Sequence, residues 1–140
     1  MTKTIVLIPC VSKKLNYGAK AKDLYISPLF KYSLAYARKL NPDMIYILSA
    51  KHRLVDLNEY IEPYNETLNE KRAHEVKEWA KKVVNQMNKK HDLDKDKFIF
   101  LAGSKYRKYI LPHLKNYEIP LEGLRIGKQL AFLKNEINKE

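Results

Sequence analysis

The chain has 140 residues, 45% of them hydrophobic, which is the size and composition of one packed domain. Its net charge is +11, from 27 Lys and Arg against 16 Asp and Glu, and it holds a single cysteine, Cys10. These figures exclude an intramolecular disulfide and a Cys-rich metal site, and no apolar run approaches the ~20 residues of a membrane span.

Thr4 to Ile8 is a short apolar run that reads as a buried strand, and it ends in the polar turn Pro9-Cys10-Val11-Ser12-Lys13-Lys14. Ser27-Pro28 predicts the start of the first crossover helix, because Ser is a good N-cap and Pro suits the first helical position. Leu29, Phe30, Leu34, Ala37 and Leu40 follow at helical spacing, and Asn41-Pro42-Asp43 stops the helix. A second strand over Met44–Leu48 runs into Ser49-Ala50-Lys51-His52-Arg53. Residues 55–65 show no period and contain Pro63, so they are expected to form an ordered loop over the sheet edge. Extra strands in this segment or a dimer are the alternatives, since a three-stranded core is thin.

Thr67-x-x-Glu70 matches a capping box, so the next helix is expected to begin there. Ala73, Val76, Trp79, Ala80, Val83, Val84 and Met87 form an apolar stripe with a period of about 3.6 residues, which places Trp79 in the core. The third strand, over Phe98–Leu101, runs into Ala102-Gly103-Ser104-Lys105-Tyr106, with Ser104 as the expected cap of a short helix that Pro112 interrupts. Leu114 to Leu121 reads as a connection. A last helix is expected from about Gly123 or Leu124 to Asn138, with Ile126, Leu130, Leu133 and Ile137 on its apolar face.

The order β-α-β-loop-α-β-α-α over residues 1–140 predicts a single α/β domain. It would be a small three-layer sandwich whose mostly parallel central sheet is flanked by helices. In such sheets ligands bind outside the carboxyl ends of the strands, so the three polar turns are expected to meet at one site. Ile5 to Ile8 is too short for the apolar core of a signal peptide, which fits a cytoplasmic location with no membrane partner. The positive charge favours a polyanionic partner, DNA or RNA, over the competing reading of a Lys-rich surface that merely solvates helix faces.

The candidate residues follow from the turns. A turn holding Ser12 and Lys13 can aim a hydroxyl, an ammonium and backbone amides at an anion, although neither a P-loop nor a Gly-x-Gly-x-x-Gly fingerprint is present. Cys10 reads as a buried thiol rather than a nucleophile. Lys51 can hold phosphate or act as an amine nucleophile, and His52 can carry protons, with plain solvation as the alternative for both. Tyr25, Tyr64 and Tyr106 lie in or beside the turns and can stack on a base or close the rim of the core. Asp23, Asp56, Glu62 and Glu66 are the nearby carboxylates that could activate water. His52, His74, His91 and His113 show no ligand spacing, so neither a metal nor a cofactor is expected.

Pro9-Cys10-x-x-Lys13 with Ala21-Lys22-Asp23-Leu24-Tyr25-x-Ser27-Pro28-Leu29-Phe30 resembles the opening of a family of small uncharacterised proteins. Ser49-Ala50-Lys51-His52-Arg53-Leu54, Glu62-Pro63-Tyr64-Asn65-Glu66-Thr67-Leu68 and Pro120-Leu121-Glu122-Gly123-Leu124-Arg125-Ile126-Gly127-Lys128 extend the likeness along nearly the whole chain. Similar families are the YaaA-type peroxide-stress proteins and the domain of archaeosine synthase with a Pro-Cys-x-x-x-Lys turn. A broader likeness is to uracil-DNA-glycosylase-like α/β folds. The resemblance implies a nucleobase or nucleic-acid site at the strand ends. His52-Arg53 replaces the Tyr-Gly common in the family, and Asn65 replaces a common Asp. The fuller archaeosine synthase motif is absent, so lysine transfer is not implied.

The resulting expectation is a nucleic-acid-directed protein with a nucleobase or nucleotide pocket, cleaving an N-glycosidic bond or modifying a base. Lys51, Asn65 and Glu66 would be catalytic, with Asp56 as an alternative for positioning water. Cys10, Ser12, Lys13, Tyr25, Ser49, His52, Tyr64, Gly103, Ser104 and Tyr106 would bind substrate. A non-catalytic DNA- or RNA-binding module and a small-molecule nucleoside or nucleotide enzyme are the alternatives.

Overall fold

The computed structural model describes residues 2–139. Its centre is β1 (Thr4–Pro9), whose residues Ile5 to Ile8 are fully buried on both faces, as an interior parallel strand requires. β3 (Met44–Ser49) pairs parallel with one edge of β1, from Ile5↔Met44 to Pro9↔Leu48. β6 (Lys97–Phe100) pairs parallel with the other, from Thr4↔Lys97 to Leu7↔Phe100. Two further strands extend this sheet. β4 (Arg53–Asp56) returns antiparallel on β3, and β7 (Tyr117–Glu118) adds parallel to β6, giving the order β4-β3-β1-β6-β7.

Side chains alternate across the sheet with the period of the pleat. Ile5, Leu7, Tyr46, Leu48, Phe98 and Phe100 face α3 (Ala73–Lys90), which buries Val76, Trp79, Ala80, Val83, Val84 and Met87 against them. Val6, Ile8, Ile47 and Ile99 face the opposite way, toward α2 (Pro28–Lys39) and α5 (Ile126–Asn138). Leu133 anchors α5, and Phe132 meets Tyr36 edge-on at 5.9 Å. The result is the expected three-layer sandwich around a mostly parallel sheet.

The ends of α2 follow their sequence signals. Ser27 Oγ accepts the Phe30 amide at 3.4 Å, and Asn41 takes a left-handed φ of 53° just past the helix, a conformation Asn tolerates. The segment expected as a loop over 55–65 contributes two strands instead. In β4 the adjacent Leu54 and Val55 are buried on opposite faces of the sheet between Arg53 and Asp56, and β5 (Tyr60–Ile61) pairs antiparallel with β2 (Ala19–Lys20). Together with the short α1 (Ala21–Leu24), this second ribbon lies over the α2 side of the sheet and buries Leu24, Tyr25, Ile61 and Tyr64.

The capping box at Thr67 serves only a single 3-10 turn, Leu68–Glu70, with Thr67 Oγ1 accepting the Asn69 amide at 3.2 Å. α3 starts later, where the Glu75 carboxylate accepts the Arg72 amide at 3.0 Å. Gly103, not Ser104, caps α4 (Ser104–Arg107). Residues 114–121, read as a bare connection, carry β7, and α5 starts at Ile126, after the left-handed Gly123.

Phe100, on β6, is fully buried on the face of the sheet that α3 covers. Phe100→Ala is expected to cost about 3–5 kcal/mol, seen as a lower urea midpoint at unchanged m-value.

Candidate functional site

Because β1, β3 and β6 run parallel, their carboxyl ends share one edge of the sheet. The turn after β1 is held by a second, local pairing. The Leu15 amide donates to the Leu24 carbonyl at 2.9 Å and the Ile26 amide to the Lys13 carbonyl at 3.1 Å, so Lys14 lies opposite Tyr25. This register leaves Lys13 exposed and turns Lys14 inward. The Lys14 ammonium sits 4.4 Å from the centroid of the Tyr64 ring and 5.6 Å from that of Tyr25.

A cleft of about 320 Å³ opens here. Cys10, Ser12 and Lys14 form one wall, and Asn65, Glu66, Thr67 and Glu70 form another. Tyr106 closes it from α4: its hydroxyl accepts from Leu68 N–H at 3.3 Å and from the Cys10 thiol at 3.5 Å, leaving its proton for Thr67 Oγ1 at 3.5 Å. Lys71 bridges Glu66 at 3.4 Å.

Beneath the cleft is a buried hydroxyl cluster. Ser49 Oγ donates to Tyr64 Oη at 2.7 Å, and Tyr64 Oη meets Tyr25 Oη at 2.6 Å. The His52 amide donates to Ser49 Oγ at 2.9 Å, and Trp79 Nε1 donates to the Ser49 carbonyl at 2.9 Å. Burial pushes the Tyr25 and Tyr64 phenols far above their ordinary range, so both stay neutral. Burial, with a contribution from Cys10, pushes Tyr106 up to about 12. Burial also lowers Lys14, against an opposing pull from Cys10. A lysine desolvated in this way is a better nucleophile and proton carrier than a free one.

The expected site residues divide into groups. Cys10, Ser12, Asn65, Glu66 and Tyr106 line the cleft. Ser49, Tyr25 and Tyr64 lie under it, and at 0%, 1% and 7% exposure they hold its floor rather than offer a free face for stacking. His52 packs edge-on against Tyr64 at 5.2 Å, half-buried. Lys51 is outside the cleft: the chain turns back into β4 immediately after β3, and Lys51 lines a neighbouring cavity. Gly103 and Ser104 sit at the start of α4, where Ser104 lines an apolar groove against α3. Val11, Lys14, Thr67, Asn69 and Glu70 also line the cleft and were missed by sequence reasoning, Lys14 being the one cation among them. The spacing Pro9-Cys10-x-x-x-Lys14 was the available signal for Lys14.

A larger, shallow depression of about 700 Å³ lies at the other end of the strands, around Lys3, His91 and Asp96. Asp96 there accepts the Lys3 and Asp92 amides at 2.9 Å, and Tyr46 Oη meets His91 Nε2 at 2.7 Å, while His91 Nδ1 has no partner among the described residues. The strand-end cleft, with its amine, thiol and carboxylates, is the candidate site. Among the described residues, no group of three His, Cys, Asp or Glu side chains could hold a metal ion. No helix in them is long and apolar enough to cross a membrane.

Residues 5–135 match the model of a Family of unknown function (DUF6884). No curated protein and no solved structure matches the chain.

Tyr64→Phe strands the buried Tyr25 hydroxyl and removes the acceptor of the Ser49 hydroxyl, which keeps only the His52 amide, and is expected to cost about 1–3 kcal/mol in urea unfolding. Burial, reinforced by the Lys51 charge, holds His52 below its ordinary value of 6.5, and burial does the same to His91. Just below that value the unfolded chain binds more protons than the folded one, so stability falls as pH drops from about 7 to about 5. His52→Gln is expected to flatten this slope in urea titrations across that range.

Proposed function

The chain belongs to DUF6884, a family of unknown function, and we propose from its own site that it acts on nucleic acid through a nucleobase pocket at the carboxyl ends of the strands. The chemistry best suited to this pocket is cleavage of an N-glycosidic bond or modification of a base. One observation carries the reading: a half-buried, desolvated amine, Lys14, lines the same cleft as the carboxylates of Glu66 and Glu70. N-glycosidic cleavage needs that pairing. The departing base gains negative charge and the sugar carbon gains positive charge, so a cation must serve the first and a carboxylate the second.

In this proposal the Lys14 ammonium donates a hydrogen bond to the leaving base. Glu66 activates or positions the water that attacks the sugar carbon, and the Asn65 amide orients that water or a base edge. Ser12, exposed at the mouth, donates to the substrate. Tyr106, kept neutral by its high pKa, offers a hydroxyl and an edge rather than a charge. Burial of Tyr25 and Tyr64 turns the expectation of stacking into one of support, because their shared hydroxyls hold the surface over which Lys14 lies. The net charge of +11 supports a polymer as the substrate's carrier. The resemblance to the YaaA-type and archaeosine synthase domains supports the same class of ligand, with Lys14 at the place of the lysine in the Pro-Cys-x-x-x-Lys turn.

The test is mass spectrometry of released and altered bases after incubating the protein with DNA, bulk transfer RNA and a nucleoside mixture. Wild type is expected to change one pool, and Lys14→Ala to lower that turnover about 10²–10³-fold while the fold is retained. If no pool changes and salt-sensitive binding to polymer persists, the enzyme reading is lost and a binding module takes its place.

A further inference from the structure

Beside the cleft, on the α3 side of the turn after β3, lies a cavity of about 310 Å³. Lys51, Arg53, Lys71 and Lys82 line it, against the carboxylates of Glu75 and Glu78. Glu75 is already engaged, since its Oε1 accepts the Arg72 amide at 3.0 Å. Lys71 reaches Glu66 at 3.4 Å, which joins this cavity to the wall of the cleft. Among the described residues, Lys51, Arg53 and Lys82 have no carboxylate within bridging distance. Three unpaired cations therefore converge on one concave surface.

The backbone supplies an independent observation. Arg53 has a φ of 65°, in the left-handed region that residues with a Cβ avoid. The other non-Gly residue there is Asn41, a type that tolerates the conformation. An arginine has no such excuse, and glycine would make the same turn without strain. The turn itself is fixed by other groups: Ser49 Oγ accepts the His52 amide at 2.9 Å, and Ser49 pairs with Arg53 across β3 and β4. What arginine adds at this position is its guanidinium. Strained residues persist where the surroundings enforce them, and they gather at binding sites.

We propose that this cavity is a phosphate subsite, in which the Arg53 guanidinium and the Lys51 ammonium hold a phosphate of the nucleic acid whose base enters the adjoining cleft. Arginine fits the task because its planar fork grips two phosphate oxygens at once, while lysine adds a point charge. The choice of nucleic acid as the source rests on the function proposed above, whereas recognition of phosphate does not.

The test separates the two. The probe is a fluorescein-labelled oligonucleotide with a tetrahydrofuran residue in place of every base, which presents phosphodiesters and nothing for the base pocket. A nucleoside 5′-monophosphate is titrated in parallel. Arg53→Gly is expected to weaken the abasic probe about five- to tenfold and to reduce the slope of log affinity against log salt by roughly 0.7–0.9. Its melting temperature should equal or exceed that of wild type, because the turn loses its strain. Arg53→Lys, at the same backbone cost, should recover most of the salt slope and less of the affinity. A loss confined to the monophosphate also supports the subsite and makes its ligand a free nucleotide. Unchanged affinity and slope for both ligands in Arg53→Gly, or wild type that binds neither, overturns the proposal. Failure of the base-pocket reading shows elsewhere, as unchanged base products in wild type and Lys14→Ala while the Arg53 effect stands.

Discussion

The site rests on one buried cluster of hydroxyls. Ser49, at the last position of β3, is hydrogen-bonded to Tyr64 from the loop after β5, and Tyr64 to Tyr25 from the segment after α1. Buried hydroxyls are costly unless paired, so each of the three fixes the position of the others. The Tyr64 ring is held in turn, with His52 against its edge and the Lys14 ammonium over its face. The cleft inherits its floor from this arrangement, and the depression of the Lys14 pKa follows from being pressed onto it.

The same packing divides the charge of the molecule into unequal environments. Many of its lysines are exposed, several of them along α3, where the charge is screened and sets solubility and long-range attraction rather than structure. Lys14 is different because aromatic rings replace part of its water. Arg53 is different because a strained backbone holds its guanidinium toward a cavity that lacks enough carboxylates to neutralise it. Glu66 belongs to both settings: it lines the cleft and bridges Lys71 of the next cavity. The two concavities are therefore joined, with an amine and carboxylates in one and an excess of cations in the other.

Local signals were most reliable where chain neighbours alone decide the outcome. The apolar runs of β1, β3 and β6, the stripe of α3 and the Ser27-Pro28 start of α2 all form as their residue patterns require. Thr67-x-x-Glu70 shows the limit of such reasoning. The cap forms, but it serves a single 3-10 turn, because Leu68 is drawn into the core beside Tyr106 and α3 restarts at Ala73. β4, β5 and β7 were hard to read because each is short and takes its partner from a distant segment, so a pairing energy that no local window contains makes it a strand.

From the sequence by itself came the parallel α/β architecture and the edge of the sheet at which the polar turns after β1, β3 and β6 meet. Hydrophobic period and crossover spacing determine both, and these are properties of the linear order. Which side chains reach that edge was decided only in three dimensions. Lys13 and Lys14 are chemically identical neighbours, and the pairing of residues 13–15 with 24–26 alone chooses Lys14 for the cleft. Lys51 and Arg53 go to the adjacent cavity because the chain reverses into β4 through a left-handed residue. Tyr25 and Tyr64 become a floor because their hydroxyls find each other. Register, reversal and burial are relations between segments, so they are settled by tertiary pairing and not by residue type.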